Sequence, residues 1–196
     1  MLSAATIAKI SWLFCLVAYL ALRGPRNWRA RREPVRTSQR DFNELFVRAI
    51  ATIGLGCLPL AYVLAGFPPF GNYHFFSPFA VVGTASFLAG LWAIYRAHKD
   101  LDWCFSYTLE IRQRHQLVTG GIYGYCRHPM YFGFLLWAIA QAMLLPNWII
   151  GAAGLVGWAA LYLVRVPREE RMMIDAFGEQ YRAYAARTAR LIPGLV

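Results

Sequence analysis

Long apolar blocks alternate along this chain with short, strongly polar joints. Residues 3–22 form the first block, with Lys9 its one charged side chain. Residues 49–66, 78–95, 130–145 and 148–164 follow, and none of these four contains a charge. A helix rises 1.5 Å per residue, so a bilayer core takes about 20 residues, with roughly 17–25 usual. The first three blocks reach that length with modest extension. The last two are short and separated only by Pro146-Asn147, which predicts a tight helical hairpin. The pattern predicts an all-α, integral membrane helical bundle of about five transmembrane helices. Beyond the fifth block, Pro167 predicts a kink or a restart of the helix. Residues 168–186 then read as an amphipathic helix, with Met173, Phe177, Tyr181 and Tyr184 on one face and Arg171, Asp175, Glu179 and Arg182 on the other. Such a helix suits the cytoplasmic membrane interface or the flank of the protein itself, and Gly178 weakens its middle.

Charge fixes a direction for the bundle. Only 15% of residues are charged, against about 25% in soluble domains, and the net charge of +10 is unevenly spread. Arg23, Arg26, Arg29, Arg31, Arg32, Arg36 and Arg40 lie between the first and second blocks. Arg96, Lys99, Arg112, Arg114 and Arg127 lie between the third and fourth, and Arg165, Arg168, Arg171, Arg182, Arg187 and Arg190 follow the fifth. The 67–77 loop and the Pro-Asn turn carry no Lys or Arg. Basic residues are retained on the cytoplasmic side, so five crossings put the N-terminus outside and the C-terminus in the cytoplasm, in the cell (inner) membrane. Membrane insertion accounts for the positive charge, and no nucleic-acid partner is needed to explain it. The arginines follow the first block rather than precede it, which predicts a retained helix and not a cleaved signal. Cys15, Cys57, Cys104 and Cys126 are isolated, with no Cys-x-x-Cys spacing, so neither a disulfide framework nor a metal site is expected.

Chemistry is concentrated in the second half. Residues 1–96 read as a three-helix membrane scaffold with a basic cytoplasmic loop. Asp41 and Glu44 there suit the positive end of the second helix, and Pro59 should kink that helix. Residues 97–196 hold the candidate site: a polar segment, the hairpin and the C-terminal helix. Within "HQLVTGGIYGYCRHPMYFG", residues 115–133, Pro129 is suited to the first turn of a helix, whose free N–H groups can hold an anion. Gly120, Gly121 and Gly124 permit a tight turn or a close backbone approach, and Tyr123, Tyr125 and Tyr131 offer ring faces and hydroxyls. The second cluster is "RVPREE", residues 165–170. If the last two blocks form a hairpin, Arg165 and Glu169 face the His128-Pro129 turn. His74 and His98 read as interfacial or packing residues.

These two motifs, the second continuing through "RMMIDAFGEQYRAYAARTARLIPGL", resemble the isoprenylcysteine carboxyl methyltransferases and their bacterial and archaeal relatives, with phospholipid N-methyltransferases as cousins. The resemblance covers residues 97–196 and extends to the first three helices by hydropathy alone. It implies S-adenosylmethionine as methyl donor, in a pocket at the cytoplasmic interface. By the same resemblance the donor contacts His115, Gln116, Leu117 and Val118, then Tyr123, then His128, Pro129, Met130 and Tyr131, and finally Glu169. Arg165 would face the carboxylate of a lipophilic or lipid-linked acceptor. Glu110 and Glu170 receive no role.

The chemistry is consistent with that assignment. Methyl transfer from a sulfonium is an in-line displacement, for which alignment of the two reactants supplies much of the catalysis. A carboxylate acceptor is already ionised, and an arginine can orient it. An amine acceptor, as in phospholipid N-methylation, would need a base, for which Glu169 or His128 could serve. Membrane sterol reductases share an Arg-His-Pro turn and use a nicotinamide cofactor, but are longer chains. A structural protein or small transporter would carry polar groups within its spans. Apart from Gln141 and a few Ser and Thr, these spans are apolar.

Overall fold

A computed structural model of the chain describes residues 3–30, 35–38, 42–101, 110–112 and 117–194, with only the backbone described at 25–30, 35–38 and 110–112. Its helices are α1 (Ala4–Ala30), α2 (Phe42–Thr52), α3 (Leu58–Ala65), α4 (Pro78–Leu101), α5 (Pro129–Leu144), α6 (Trp148–Phe177) and α7 (Glu179–Arg187). A π-helical turn, Ile53–Cys57, joins α2 to α3, so Phe42–Ala65 runs as one interrupted span. Together with Ala4–Gly24, Pro78–Leu101 and Trp148–Phe177, that makes four segments long and apolar enough to cross a membrane. The apolar α5 has 16 residues and so is about 24 Å long, shorter than a bilayer core of about 30 Å. One small addition to the helical plan is an antiparallel ribbon of β1 (Val35–Ser38) and β2 (Glu110–Arg112), pairing Ser38 with Glu110.

The outer surface of the bundle is apolar. On α1, Ile7, Ile10, Phe14, Val17 and Leu20 are exposed along one stripe, as are Val81, Leu88 and Trp92 on α4 and Val156 and Leu163 on α6. Apolar faces this continuous mark contact with lipid rather than water. Inside, Trp12, Phe87 and Trp137 are almost fully buried, and the Trp137 ring lies 4.7 Å from those of both Tyr19 and Phe87.

The helices approach closely because glycines face them. A Cβ on Gly54 would sit 2.2 Å from the Ala153 carbonyl oxygen of α6, and one on Gly90 of α4 would sit 2.7 Å from that of Gly133 on α5. Small residues at such crossings let backbones meet where packing is the main attraction.

Pro59 acts through the π turn that precedes it. Leu58 N–H reaches back to the Ile53 carbonyl, an i→i+5 bond. The next bond in that series would run from residue 59 to Gly54, but proline has no N–H. Gln141 of α5 fills the gap: its Nε2 donates to the Gly54 carbonyl at 2.9 Å and to that of Ile150 at 2.7 Å. The one amide within the apolar blocks thus ties three helical segments together.

The α5–α6 hairpin is closed by Asn147, whose Oδ1 accepts from the N–H groups of Ile149 and Ile150 and caps α6. Its Nδ2 donates to the Phe70 carbonyl at 2.8 Å, and Tyr73 N–H donates to the Pro146 carbonyl at 3.1 Å. The 67–77 loop and the hairpin turn therefore share one end of the bundle.

At the other end one expectation is corrected. Pro167 does not restart the helix: α6, 30 residues in all, runs through it to Phe177. Val166 and Met172 are buried on either side, and Arg165 pairs with Glu169 across the proline at 3.2 Å. Packing and an i,i+4 ion pair outweigh one missing hydrogen bond. The break comes instead at Gly178, with φ +55°, and Tyr181 and Tyr184 of α7 are buried against the protein.

Candidate active site

The site is built where α5 begins and the apolar part of α6 ends. Gly121, at φ +61°, opens a 3₁₀ turn, Gly121–Gly124, and Ile122 N–H donates to Asp100 Oδ2 of α4 at 2.7 Å. A Cβ on Gly121 would lie 2.2 Å from that same oxygen, so both the positive φ and the close carboxylate demand glycine. The turn buries Tyr123, whose carbonyl accepts the Tyr184 hydroxyl at 2.7 Å. Arg127 N–H then donates to the Ala189 carbonyl at 2.8 Å, so the chain after α7 lies beside residues 126–127. His128 occupies the N-cap position of α5 without a side-chain capping bond, and Pro129 enters the first turn, as the sequence predicts.

Opposite this loop stand the charges of α6. Tyr131 donates its hydroxyl to Glu169 Oε1 at 2.6 Å, and Arg165 Nη2 lies 3.2 Å from the same oxygen. Glu169 Oε2 faces His128 Nδ1 at 3.7 Å, beyond hydrogen-bond reach, and the Glu169 side chain is 27% exposed. One carboxylate oxygen is engaged twice, and the other has no hydrogen-bond partner among the described residues. Arg165 is buried at 9% exposure. Glu170, next in sequence, faces away toward His128 Nε2 at 3.2 Å, Arg127 at 3.1 Å and Arg190 at 2.8 Å.

The sequence-predicted residues thus fall into three groups. Tyr131, His128, Arg165 and Glu169 are brought together. Tyr123 is buried in the adjoining turn, Pro129 and Met130 form the start of α5, and Leu117 and Val118 are half-buried on the approach to the turn. His115 and Gln116 lie outside the described residues, as does Asp41, and the Glu110 side chain is likewise not described. His98 is buried within α4, its Nδ1 2.7 Å from the Ile94 carbonyl, in keeping with a packing role.

Two participants went unassigned in the sequence. Asp100 anchors the turn. Glu170 gathers the loop and the C-terminal segment. Glu44 lies in the first turn of α2, as expected of a helix-end charge, and is also 2% exposed, 3.6 Å from Arg48, on a helix whose Val47 and Ala51 pack with Tyr131, Leu161 and Val166. The nearest sequence signal was that Glu44 precedes Arg48 by one helical turn.

The electrostatics keep the flanking groups protonated. Burial pushes the Cys126 thiol up to about 11. Burial, reinforced by the charge of Glu170, pushes the Tyr181 phenol up to about 12. Burial and then the charge of Glu169 hold the Tyr123 phenol well above its ordinary value. At neutral pH these groups serve as packing and hydrogen-bonding surfaces. Among the described residues no group of His, Cys, Asp and Glu is arranged to hold a metal ion.

Residues 81–175 match the model of the isoprenylcysteine carboxyl methyltransferase (ICMT) family. The chain is similar to protein-S-isoprenylcysteine O-methyltransferase B of Arabidopsis thaliana, 37% identical over 91 residues, which are 45% of this chain and 46% of that protein. It is 40% identical over 90 residues to protein-S-isoprenylcysteine O-methyltransferase of Dictyostelium discoideum, covering 44% and 36% of the two chains. The Mus musculus protein of the same name is 37% identical over 84 residues, 43% and 30% of the two. The matched region spans less than half the length of each of these relatives. Residues 81–175 include the 3₁₀ turn, all of α5, and α6 through Glu169 and Glu170, and this part of the chain is similar to the isoprenylcysteine carboxyl methyltransferase family.

Proposed function

We propose that this chain is an S-adenosylmethionine-dependent methyltransferase of the membrane that esterifies the carboxylate of an isoprenylcysteine-like or other lipophilic acceptor. The observation that carries the reading is the Tyr131–Glu169–Arg165 cluster, in which an anion and a buried cation meet beside His128 where the apolar part of α6 ends. The residues fit the donor. Its sulfonium and ammonium groups are cationic, and Glu169 keeps one carboxylate oxygen without a hydrogen-bond partner among the described residues. Tyr131 holds that carboxylate in place, and Tyr123, Pro129 and Met130 supply apolar and aromatic surface. Leu117 and Val118, with His115 and Gln116 before them, would complete the donor wall.

When bound, the donor supplies an activated methyl group. The protein's own task is then alignment. Arg165 carries a guanidinium, whose geometry matches a carboxylate, and can orient an acceptor carboxylate. Its burial makes that charge pairing stronger than it would be in water. No general base is required for an ionised carboxylate. Phospholipid N-methylation, which requires one, has no observation in its favour beyond the presence of His128 and Glu169. The relatives, methyltransferases by name, weigh against nicotinamide-dependent reduction.

Location supports the same reading. Residues 148–164 are apolar, and Arg165, Glu169 and Glu170 follow within two turns of the same helix. A water-soluble donor and a lipid-borne acceptor both reach such a boundary. The end shared by the 67–77 loop and the 145–147 turn lacks Lys and Arg, whereas the opposite end is arginine-rich. We therefore orient the chain with its N-terminus outside, its C-terminus in the cytoplasm and the site facing the cytoplasm. Calorimetry on the detergent-purified protein tests the donor assignment. Binding of S-adenosylmethionine and S-adenosylhomocysteine is expected, and binding of NADPH alone would overturn it.

A further inference from the structure

Glu169 and Glu170 are neighbours on α6, so their side chains point about 100° apart. Glu169 faces Tyr131 and Arg165. Glu170 faces the opposite flank of His128, and the imidazole is wedged between the two acids: Nε2 is 3.2 Å from Glu170 Oε1, and Nδ1 is 3.7 Å from Glu169 Oε2. A carboxylate can only accept, and a neutral imidazole has one donor and one acceptor nitrogen. The shorter contact therefore assigns the proton to Nε2 and leaves a lone pair on Nδ1, toward Glu169. The charge of Glu170 is already matched without His128. Arg127 Nη1 lies 3.1 Å away, and Arg190 binds both oxygens, Nε to Oε1 at 3.3 Å and Nη2 to Oε2 at 2.8 Å.

We infer that Glu170 is a positioning residue for the donor site. It holds the His128 ring through Nε2, so that Nε2 carries the proton of the neutral ring and Nδ1 is turned toward the carboxylate that receives the cationic donor. The inference rests on the donor reading proposed above. Arg127 and Arg190 allow Glu170 to do this by carrying its countercharge. Arg190 additionally fastens the segment after α7, whose Ala189 carbonyl accepts from Arg127 N–H at 2.8 Å.

The first test uses the wild-type protein without donor. In ¹⁵N-histidine spectra in detergent micelles near pH 8, His128 should show a protonated Nε2 and an unprotonated Nδ1. An Nδ1–H ring or a doubly protonated ring would overturn the inference. The second test compares Glu170→Gln with Arg190→Ala. A hydrogen bond to a charged group contributes about 1.5–3 kcal/mol, so Glu170→Gln should weaken S-adenosylmethionine binding by about tenfold or more, leave the acceptor KM unchanged and shift the His128 ring signals. Arg190→Ala, which removes one of the two guanidiniums on Glu170 together with the tie to the C-terminal segment but leaves the carboxylate and Arg127 in place, should shift the ring signals and the donor affinity less than Glu170→Gln does. Equal losses in the two variants would place the effect in the C-terminal segment and sink the role assigned to His128, as would unchanged binding in Glu170→Gln. Should Glu170→Gln fail to fold, the wild-type spectrum still decides. If the wild-type protein binds no S-adenosylmethionine, the donor reading falls, while the tautomer stands or falls on its own spectrum.

Discussion

Tyr131 and Glu169 meet at 2.6 Å, hydroxyl to carboxylate, and so join the first turn of α5 to the polar end of α6. Arg165 approaches the same oxygen at 3.2 Å. The bond therefore sets both the separation of the two helices and the direction in which the carboxylate is offered.

Tyr131→Phe removes that donor while keeping the ring. A hydrogen bond to a charged group contributes about 1.5–3 kcal/mol. Donor affinity measured by calorimetry should fall about tenfold or more, and thermal stability should fall as well, because the bond also joins α5 to α6. Glu169→Ala should abolish donor binding. Wild-type affinity in Tyr131→Phe would show that the bond does not orient the carboxylate.

Arg165→Ala should act on the other reactant. The acceptor KM should rise by about tenfold or more, as expected when a charge-assisted contact is removed, while the donor Kd moves less. The reverse pattern, donor binding lost and acceptor KM retained, would contradict the assignment of Arg165. Initial-rate kinetics with each substrate varied in turn distinguishes the two.

Gly121→Ala should damage the site while leaving His128, Arg165 and Glu169 themselves unchanged. The new Cβ meets Asp100 Oδ2 at 2.2 Å in a backbone of φ +61°, so the Ile122–Asp100 bond must break or the turn must move. Asp100→Ala removes the same bond and should weaken donor binding in parallel. Retention of full affinity in both variants would show that the turn's position is immaterial.

Gln141→Leu tests the fold alone. It would leave the Gly54 and Ile150 carbonyls without their side-chain donor in the apolar interior, and each buried group left unpaired costs about 1–3 kcal/mol. The melting temperature should drop clearly, and whatever protein remains folded should turn over normally. An unchanged melting temperature would show that the π turn does not need the amide.

The parts of this molecule legible in the sequence are those fixed by runs and punctuation. Charge-free blocks revealed the spans, Pro146-Asn147 the hairpin, and Pro129 the start of α5. Once α5 and α6 are antiparallel, Arg165 and Glu169 must lie near His128, and they do. Local rules failed where tertiary contacts outvoted them. Pro167 reads as a break, yet Val166 and Met172 pack on both sides of it and the helix holds. Glu44 does stand in the first turn of α2, as the sequence reads, but its burial where α2 packs beside α6 has no local signal. The kink expected at Pro59 takes the form of a π turn whose open carbonyl is filled by Gln141, 82 positions downstream of the proline. Such a pairing has no signature in local pattern.

The most direct measurement is methyl transfer itself. The purified protein would be incubated with S-[methyl-³H]adenosylmethionine and an N-acetylated S-prenyl cysteine, and the label would be followed through mild base. The account predicts tritium in the acceptor, released as methanol by base, and lost in Arg165→Ala and Glu169→Ala. Label that survives base, or no transfer to any lipophilic carboxylate by a protein that binds the donor, would contradict it.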